Sequence, residues 1–322
     1  MQTATSDIRT DIVVKCPATG EVVGRVTVTS AEEVEAVAAR LRAAQPAWHA
    51  MGVEGRAEWL GKWRDWILDH TDELLSMVQR ETGKSWGDTA NSEALVPQLI
   101  NYWTDNAAQF LAEENVRPVG AANAAKKLTI AYEPYQLVGV ITPWNGPLSV
   151  PMLDIPAALM AGCAVLSKPS ELTPLCWQLM IAGWQEIGAP DVLDAVYGYG
   201  ETGSAVIDLV DFVMFTGSVN TGRRVAVAAA QRLIPCSLEL GGKDAMIVWP
   251  MPISTGLSTA RCGAATSTPA RSAYRSSGCT SKRRSTTSSF RSWSPGRSSC
   301  VRVLTHSTTT RWTSARWPTN NN

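Results

Sequence analysis

Two glycine-containing segments near the middle of the chain have the composition of phosphate-binding turns. Each follows a short apolar run and precedes a helical pattern, and glycine there lets the backbone approach a phosphate at the N-terminus of a helix. One such turn is common between a strand and a helix, whereas two in one sheet favour a bound dinucleotide. The residues are Gly198, Gly200, Phe215, Thr216, Gly217 and Ser218.

Charged residues follow two other apolar runs. Lys168 and Glu171 lie in Ser-Lys-Pro-Ser-Glu, where the ammonium can hold a ribose hydroxyl or a phosphate and the carboxylate can accept from ribose hydroxyls. A surface ion pair is the ordinary alternative. Glu239 lies between Leu238 and Leu240 in a predicted strand, and a carboxylate there is either paired or has a raised pKa suited to a general base.

An alternation of strands and helices must position these groups. Apolar runs cover residues 137–142, 164–168, 192–197 and 212–216, and helical patterns cover residues 153–161, 174–187, 203–209 and 221–230. Repeated strand–helix–strand units of this length predict an α/β fold with a doubly wound, Rossmann-like parallel sheet. Ligands of such a sheet bind at the carboxyl ends of its strands.

The first part of the chain predicts two short strands, at residues 11–15 and 21–29, followed by helices. Ser30 and Glu33 have the spacing of a capping box, and Gly83 is placed to end a later helix. Three tryptophans recur in the helical region and are interpreted as core residues. They are Trp59, Trp63 and Trp66.

The composition is that of a globular protein, since 45% of the residues are hydrophobic. The N-terminus has no apolar export segment, and Asp154 and two prolines interrupt the apolar stretch 150–166, so we expect no membrane span and a cytoplasmic location. The seven cysteines form no CxxC pair and have no histidine partners at ligand spacing. We therefore expect no metal site and no disulfide framework.

The formal net charge of zero conceals a strong asymmetry. Residues 250–322 contain ten Arg and one Lys but no Asp or Glu, which leaves 18 basic residues against 29 acidic ones before them. A basic tail on an acidic body is typical of a nucleic-acid-binding arm. It also fits two segments with different coding histories.

Four motifs, in this order and spacing, resemble the aldehyde dehydrogenase superfamily over residues 10–249. They are Ile141-Thr142-Pro-Trp144-Asn145, Ser-Lys168-Pro-Ser170-Glu171, Phe215-Thr216-Gly217-Ser218 and Leu238-Glu239-Leu240-Gly-Gly-Lys243. The segments Glu81-Thr-Gly-Lys84 and Tyr132-Glu-Pro-Tyr135 are also similar to this family.

The resemblance implies oxidation of an aldehyde to a carboxylic acid with NAD or NADP, of which NAD is slightly favoured. Lys168 and Glu171 would hold the adenosine ribose, and residues 215–218 would lie beside the pyrophosphate and the nicotinamide. The Asn145 amide would donate to the oxyanion, and Glu239 would be the general base. The other candidates for cofactor binding are Thr142, Trp144, Ser170, Gly198, Gly200 and Leu240.

In this family a cysteine thiolate attacks the aldehyde, and water activated by the glutamate later hydrolyses the thioester. The matching position is Ala273, so this chain lacks the nucleophile and is expected to be inactive. The resemblance also implies a homo-oligomer. The catalytic domain and the C-terminal strand that completes the oligomer are not present in frame.

The basic tail is compatible with a frameshift. Each tail residue fixes most of its first two codon bases, and reading residues 250–322 in the neighbouring frame permits a family-like sequence that includes FNAGQIC. Its cysteine codon would straddle Ser272 and Ala273, and the loss of one base at codon 249 explains the seam. A nucleic-acid arm has no reason to encode the missing half of an enzyme, so we favour the frameshift.

The sequence thus predicts two regions. Residues 1–249 form an N-terminal and NAD(P)-binding domain that includes an oligomerisation hairpin at residues 126–138, and residues 250–322 form an out-of-frame, disordered tail. Two alternatives remain open. One is a non-catalytic dinucleotide-binding protein, and the other is a protein that binds nucleic acid through its tail.

Overall fold

The computed structural model describes residues 11–120, 125–242, 246–247 and 279–280. The chain divides into two compact units, Met1–Gly241 with Thr268–Ala273, and Gly242–Ser267 with Tyr274–Asn322. The predicted disorder of the tail and the position of Ala273 lie outside the described residues. The domain boundary at residue 249 remains a prediction.

The first unit begins with a small antiparallel pair, β1 (Asp11–Lys15) and β2 (Val22–Thr27). Five helices follow: α1 (Ala31–Ala50), α2 (Gly52–Asp69), α3 (Thr71–Thr82), α4 (Trp86–Glu93) and α5 (Val96–Phe110). The predicted capping box is confirmed, because Ser30 Oγ accepts from the Glu33 N–H at 3.2 Å and a Glu33 oxygen accepts from the Ser30 N–H at 2.8 Å. Gly83 ends α3 with a φ of 68°, which glycine adopts without strain.

A second antiparallel pair joins β3 (Glu114–Val116) to β4 (Leu128–Ile130). β4 lies inside the range 126–138 expected for an oligomerisation hairpin, but its partner strand precedes that range. Residues 137 and 138 already belong to the next strand. A role of this pair in oligomerisation remains a prediction.

A five-stranded parallel sheet forms the centre of the unit. Its strands are β5 (Leu137–Ile141), β6 (Ala164–Lys168), β7 (Leu193–Ala195), β8 (Phe212–Gly217) and β9 (Cys236–Leu240), in the order β7-β6-β5-β8-β9. Its connecting helices are α6 (Ser149–Ala161), α7 (Leu175–Glu186), α8 (Gly200–Leu209) and α9 (Val219–Gln231). The strand order reverses between β5 and β8, so the predicted doubly wound α/β fold is confirmed.

The core lies between the sheet and the N-terminal helices. Trp63 is fully buried, and its ring meets that of Trp184 edge to face at 5.3 Å between centroids. Trp59 and Trp66 are half-buried and pack against the same core, which confirms the core interpretation of the three tryptophans.

Helix α1 lies along the amino edge of the sheet. Arg42 donates to both oxygens of Asp211, immediately before β8, at 2.7 and 2.6 Å. Gln45 donates to the Gly162 carbonyl and Trp48 to the Leu159 carbonyl, both at the C-terminal end of α6. Side chains of α1 therefore pair with polar groups at this edge.

The second unit contains one described pair, β10 (Met246–Ile247) parallel to β11 (Cys279–Thr280). Across the part of the chain that the structure describes, no helix is long and apolar enough to cross a membrane.

Candidate functional site

Strand register brings the predicted site residues to one edge of the sheet. Ile141, the last residue of β5, pairs with Lys168 on β6 and with Phe215 on β8, and Thr216 pairs with Glu239 on β9. All these positions lie at the carboxyl ends of parallel strands. The edge includes the point between β5 and β8 where the strand order reverses, which is where doubly wound sheets bind ligands.

The turn between β7 and α8 depends on its glycines. A Cβ at Gly198 would lie 1.9 Å from Thr202 Oγ1, so any larger residue would displace the first turn of α8. A Cβ at Gly200 would have nothing within 4 Å, so the backbone at the start of the helix is open to close approach. Both features fit a phosphate against the N-terminus of α8.

Lys168 reaches from β6 towards α8. Its side chain is buried, the Cδ atom lies 3.6 Å from an ideal Cβ position on Gly203, and the Nζ atom donates to the Pro169 carbonyl at 3.1 Å. Burial lowers the pKa of Lys168, and the charge of Glu171 opposes that effect. A buried ammonium with one backbone partner suits hydrogen bonding to a sugar or phosphate oxygen.

The other candidates on β8 and just after β6 and β8 have structural contacts of their own. Ser170 is buried and its Oγ accepts from the Leu172 N–H at 3.2 Å. Ser218 caps α9 by accepting from the Thr221 N–H at 3.2 Å. The Phe215 ring is buried and would lie 2.6 Å from a Cβ on Gly217, so glycine is needed beside it.

The loop between β5 and α6 carries Thr142, Trp144 and Asn145. Thr142 is buried and its N–H donates to the Lys168 carbonyl at 3.2 Å, which ties the end of β5 to that of β6. Asn145 is half-buried, and its backbone carbonyl accepts from Lys84 Nζ at 2.6 Å. Lys84, from the N-terminal helical region, therefore fixes the backbone of this loop at Asn145.

The segment Glu81-Thr-Gly-Lys84 has contacts that the sequence did not reveal. Glu81 is buried, and its two carboxylate oxygens accept from the N–H groups of Leu175 and Cys176 at 2.7 and 2.9 Å, in the first turn of α7. Burial raises the pKa of Glu81, and these hydrogen bonds oppose the rise. Glu81 thus fixes the helix that follows the Lys168 segment.

Glu239 lies on the predicted strand, now β9, and its side chain is exposed. The structure adds a second carboxyl group nearby, because burial and the charge of Glu239 together raise the pKa of Asp154, on α6, to about 6. In the sequence, Asp154 is recognisable only as an interruption of an apolar stretch. Leu240 packs against α9, where a Cβ on Gly222 would lie 2.4 Å from its Cδ2 atom.

Metal ligation has no support among the described residues, which contain no cluster of three or more His, Cys, Asp or Glu side chains suited to an ion. Four cysteines lie in this part of the chain as free thiols. Burial raises the pKa of Cys163 to about 11 and that of Cys176 well above its ordinary value, so neither is an activated nucleophile.

The strand order and the polar edge define the class of the unit as a nucleotide-binding type of α/β fold. Comparison with known proteins gives the family. The pattern of the aldehyde dehydrogenase family matches residues 3–255, and the chain belongs to that family.

Three relatives illustrate the match. A Mycolicibacterium smegmatis protein with the name "Putative succinate-semialdehyde dehydrogenase", which specifies NADP(+), is 38% identical over 234 residues, or 71% of this chain and 44% of that protein. The 4,4'-diapolycopene aldehyde oxidase of Methylomonas sp is 34% identical over 74% of this chain and 46% of its own length. The crystal structure of Mycobacterium tuberculosis aldehyde dehydrogenase complexed with NAD+ matches with a TM-score of 0.69 and 33% identity, covering 76% of this chain and 50% of that one. The chain therefore spans about half the length of these relatives.

Proposed function

We propose that the first unit binds a nicotinamide adenine dinucleotide at the carboxyl edge of its sheet, near the reversal between β5 and β8. The observation that carries this proposal is the register that aligns Ile141 with both Lys168 and Phe215. The open backbone at Gly200 and the buried ammonium of Lys168 are features that a pyrophosphate and a ribose require.

The proposed site residues contact different parts of the cofactor. Lys168 and Glu171 hold the adenosine ribose, and the turn at Gly198 and Gly200 with residues 215–218 lies along the phosphates and the nicotinamide. Thr142, Trp144, Ser170 and Leu240 complete the cofactor-binding set. When bound, the cofactor supplies a hydride acceptor.

We further propose NAD rather than NADP as the preferred cofactor. A carboxylate at Glu171 accepts from the free ribose 2′-hydroxyl but repels a 2′-phosphate. The name of the Mycolicibacterium relative specifies NADP(+), so a direct measurement on this chain is needed. Calorimetric titration should give at least about tenfold tighter binding of NADH than of NADPH, and Glu171→Gln should narrow the ratio. Equal affinities for the parent chain would refute the preference.

The activity proposed for the complete protein is oxidation of an aldehyde to a carboxylic acid. In that reaction the Asn145 amide donates to the oxyanion on the substrate carbonyl, and Glu239 takes a proton from the attacking water. The nucleophilic cysteine is missing from the sequence at position 273, so this chain should bind the cofactor without turnover. We propose that it acts in the cytoplasm and that the complete protein is a homo-oligomer.

Repair of the reading frame tests the activity. Insertion of one base in codon 249 should restore the segment FNAGQIC, and NAD(P)-dependent aldehyde oxidation should rise from background to a measurable rate. Replacing the cysteine of that segment by alanine should abolish turnover and leave cofactor affinity unchanged, because the thiol acts in the chemical step. Oxidation by the unrepaired chain that survives Cys236→Ala would contradict the proposal.

A further inference from the structure

A buried ion pair lies beneath the loop that carries three of the proposed site residues. Lys84 and Glu93 are both almost fully buried, and Lys84 Nζ lies 3.5 Å from Glu93 Oε1. A buried pair of this kind costs desolvation free energy and is weak support for stability by itself. Its contacts with the rest of the protein indicate what it does.

The pair contacts the β5–α6 loop at two points. Lys84 Nζ donates to the Asn145 carbonyl at 2.6 Å, and Glu93 Oε2 accepts from the N–H of Ser149, the first residue of α6, at 2.7 Å. Ser92 completes the cluster, since its Oγ accepts from Lys84 at 3.1 Å and donates to Glu93 at 2.8 Å. One cation and one anion therefore fix the backbone at both ends of the segment from Asn145 to the start of α6.

We propose that Lys84 and Glu93 are positioning residues for the β5–α6 loop, which they hold in the conformation that presents Thr142, Trp144 and Asn145 at the site. The consequence for binding rests on the proposed dinucleotide site. Lys84 bonds to the Asn145 backbone carbonyl, so this contact fixes the position of the residue without using its side-chain amide.

The double variant Lys84→Met/Glu93→Gln isolates this role. The glutamine keeps an oxygen for the Ser149 N–H and an amide that can donate to Ser92, and the methionine fills the space of the lysine without leaving a buried charge. The hydrogen bonds from Lys84 to the Asn145 carbonyl and to Ser92 are lost, and of these only the first reaches the β5–α6 loop.

Arg56→Met is the matched control. Arg56 is also buried and donates to a carbonyl of the same helix, Met160 at 3.1 Å, but at the opposite end of α6. Its loss should lower the melting temperature without changing the β5–α6 loop.

Hydrogen–deuterium exchange of a peptide covering residues 142–150 is the primary measurement, and it does not depend on cofactor binding. Exchange in the double variant should be about tenfold faster than in the parent chain, the factor expected for one lost charge-assisted hydrogen bond, and unchanged in Arg56→Met. NADH affinity should fall about fivefold or more in the double variant and stay at the parent value in the control. Unchanged exchange in a folded double variant overturns the proposal.

Two further outcomes are separable. If the parent chain binds no NADH, the dinucleotide proposal fails, while the exchange of residues 142–150 still decides whether the ion pair holds the loop. If the double variant does not fold, Ser92→Ala removes one partner from each charge and should accelerate exchange in the same peptide by a smaller factor. Parent-like exchange in Ser92→Ala would then overturn the proposal.

Discussion

The two edges of the central sheet differ in how their polar groups are used. At the amino edge, Arg42, Gln45 and Trp48 reach across from α1 and bond to Asp211 and to the last carbonyls of α6. At the carboxyl edge, Lys168 is buried with one backbone acceptor, and Gly200 leaves open space at the start of α8. At the first edge the polar groups are paired by side chains of α1, and the second edge is where we propose that the dinucleotide binds.

This difference separates stability from binding within one sheet. Helix α6 joins the two edges, because it begins after the Asn145 loop and ends at the Gly162 carbonyl that Gln45 caps. Substitutions at the amino edge should therefore lower the free energy of unfolding without altering ligand affinity. Substitutions of the proposed site residues at the carboxyl edge should alter ligand affinity more than they alter the free energy of unfolding.

Asp211→Ala should have the largest effect on stability. It removes the two carboxylate acceptors of Arg42, which keeps its hydrogen bonds to Gln136 and to the Leu209 carbonyl. It also leaves the N–H of Leu137, which donates to Asp211 at 3.0 Å, without that partner. Arg42 and Asp211 are each about one-third exposed, so water screens their attraction, and we expect a loss of about 1–2 kcal/mol in the free energy of unfolding with unchanged NADH affinity, measured by urea unfolding and by titration. The control Asp191→Ala breaks an exposed pair with Arg40 at the same edge and should cost less than about 1 kcal/mol.

The pH dependence of stability tests whether the ionised carboxylate of Asp211 is responsible for this loss. Burial alone would raise the pKa of Asp211, but hydrogen bonds from Arg42 and the Leu137 N–H outweigh it and lower the pKa below its ordinary value. A lowered pKa means that the ionised group stabilises the fold above about pH 4, and that this contribution is lost as the pH falls through the lower value of the folded protein. The difference between the parent chain and Asp211→Ala should shrink in acid. A constant difference down to pH 2 would contradict this account.

Gly198→Ala should affect binding more than stability. The new methyl group would collide with Thr202 Oγ1 and displace the first turn of α8. NADH affinity should therefore fall by about tenfold or more, while the free energy of unfolding falls by only about 1 kcal/mol. Gly198→Ala/Thr202→Ala removes the colliding hydroxyl and should recover part of the affinity. If Gly198→Ala binds NADH like the parent chain, the glycine turn is not part of the site.

Sequence patterns located the elements better than their starts. Strand β6 was predicted at residues 164–168 and is observed there, because its apolar run ends at a charged residue. α8 starts at Gly200 instead of residue 203, since glycines in its first turn conceal the helical pattern. α6 starts at Ser149 instead of residue 153, because Pro151 lies in the first turn, where its missing N–H removes no intrahelical bond.

The site was predictable only where its residues follow the strands directly. Lys168 is the last residue of β6 and Thr216 the last but one of β8, so the parallel register brings them to one edge. The contacts of Lys84 with Asn145 join positions 61 residues apart, and local patterns carry no information about such pairs. Asp154 was missed for the same reason, since its neighbour Glu239 lies on a strand at the far edge of the sheet.

Asp154→Asn gives the smallest expected effect. It tests whether the carboxyl group of Asp154, in the first half of α6, lowers the free energy of unfolding. Burial and the charge of Glu239 raise the pKa of Asp154 to about 6, so the folded protein is more stable with this carboxyl group protonated than with it ionised. As the pH rises from about 4 to about 6, the unfolded chain ionises before the folded protein, and stability is lost over that interval. The asparagine variant lacks this loss, so it should be more stable than the parent chain by about 1 kcal/mol above pH 6, or about 2–4 °C in melting temperature, with little difference below pH 4.

Glu239→Gln in the parent background should recover part of the same gain, because it removes the second cause of the raised pKa of Asp154. This dependence has the opposite sign to that of Asp211, so melting curves of both variants between pH 3 and pH 8 distinguish a carboxyl group that stabilises the fold when ionised from one that does so when protonated. A stability difference for Asp154→Asn that does not change with pH would show that Asp154 ionises as freely in the folded protein as in the unfolded chain.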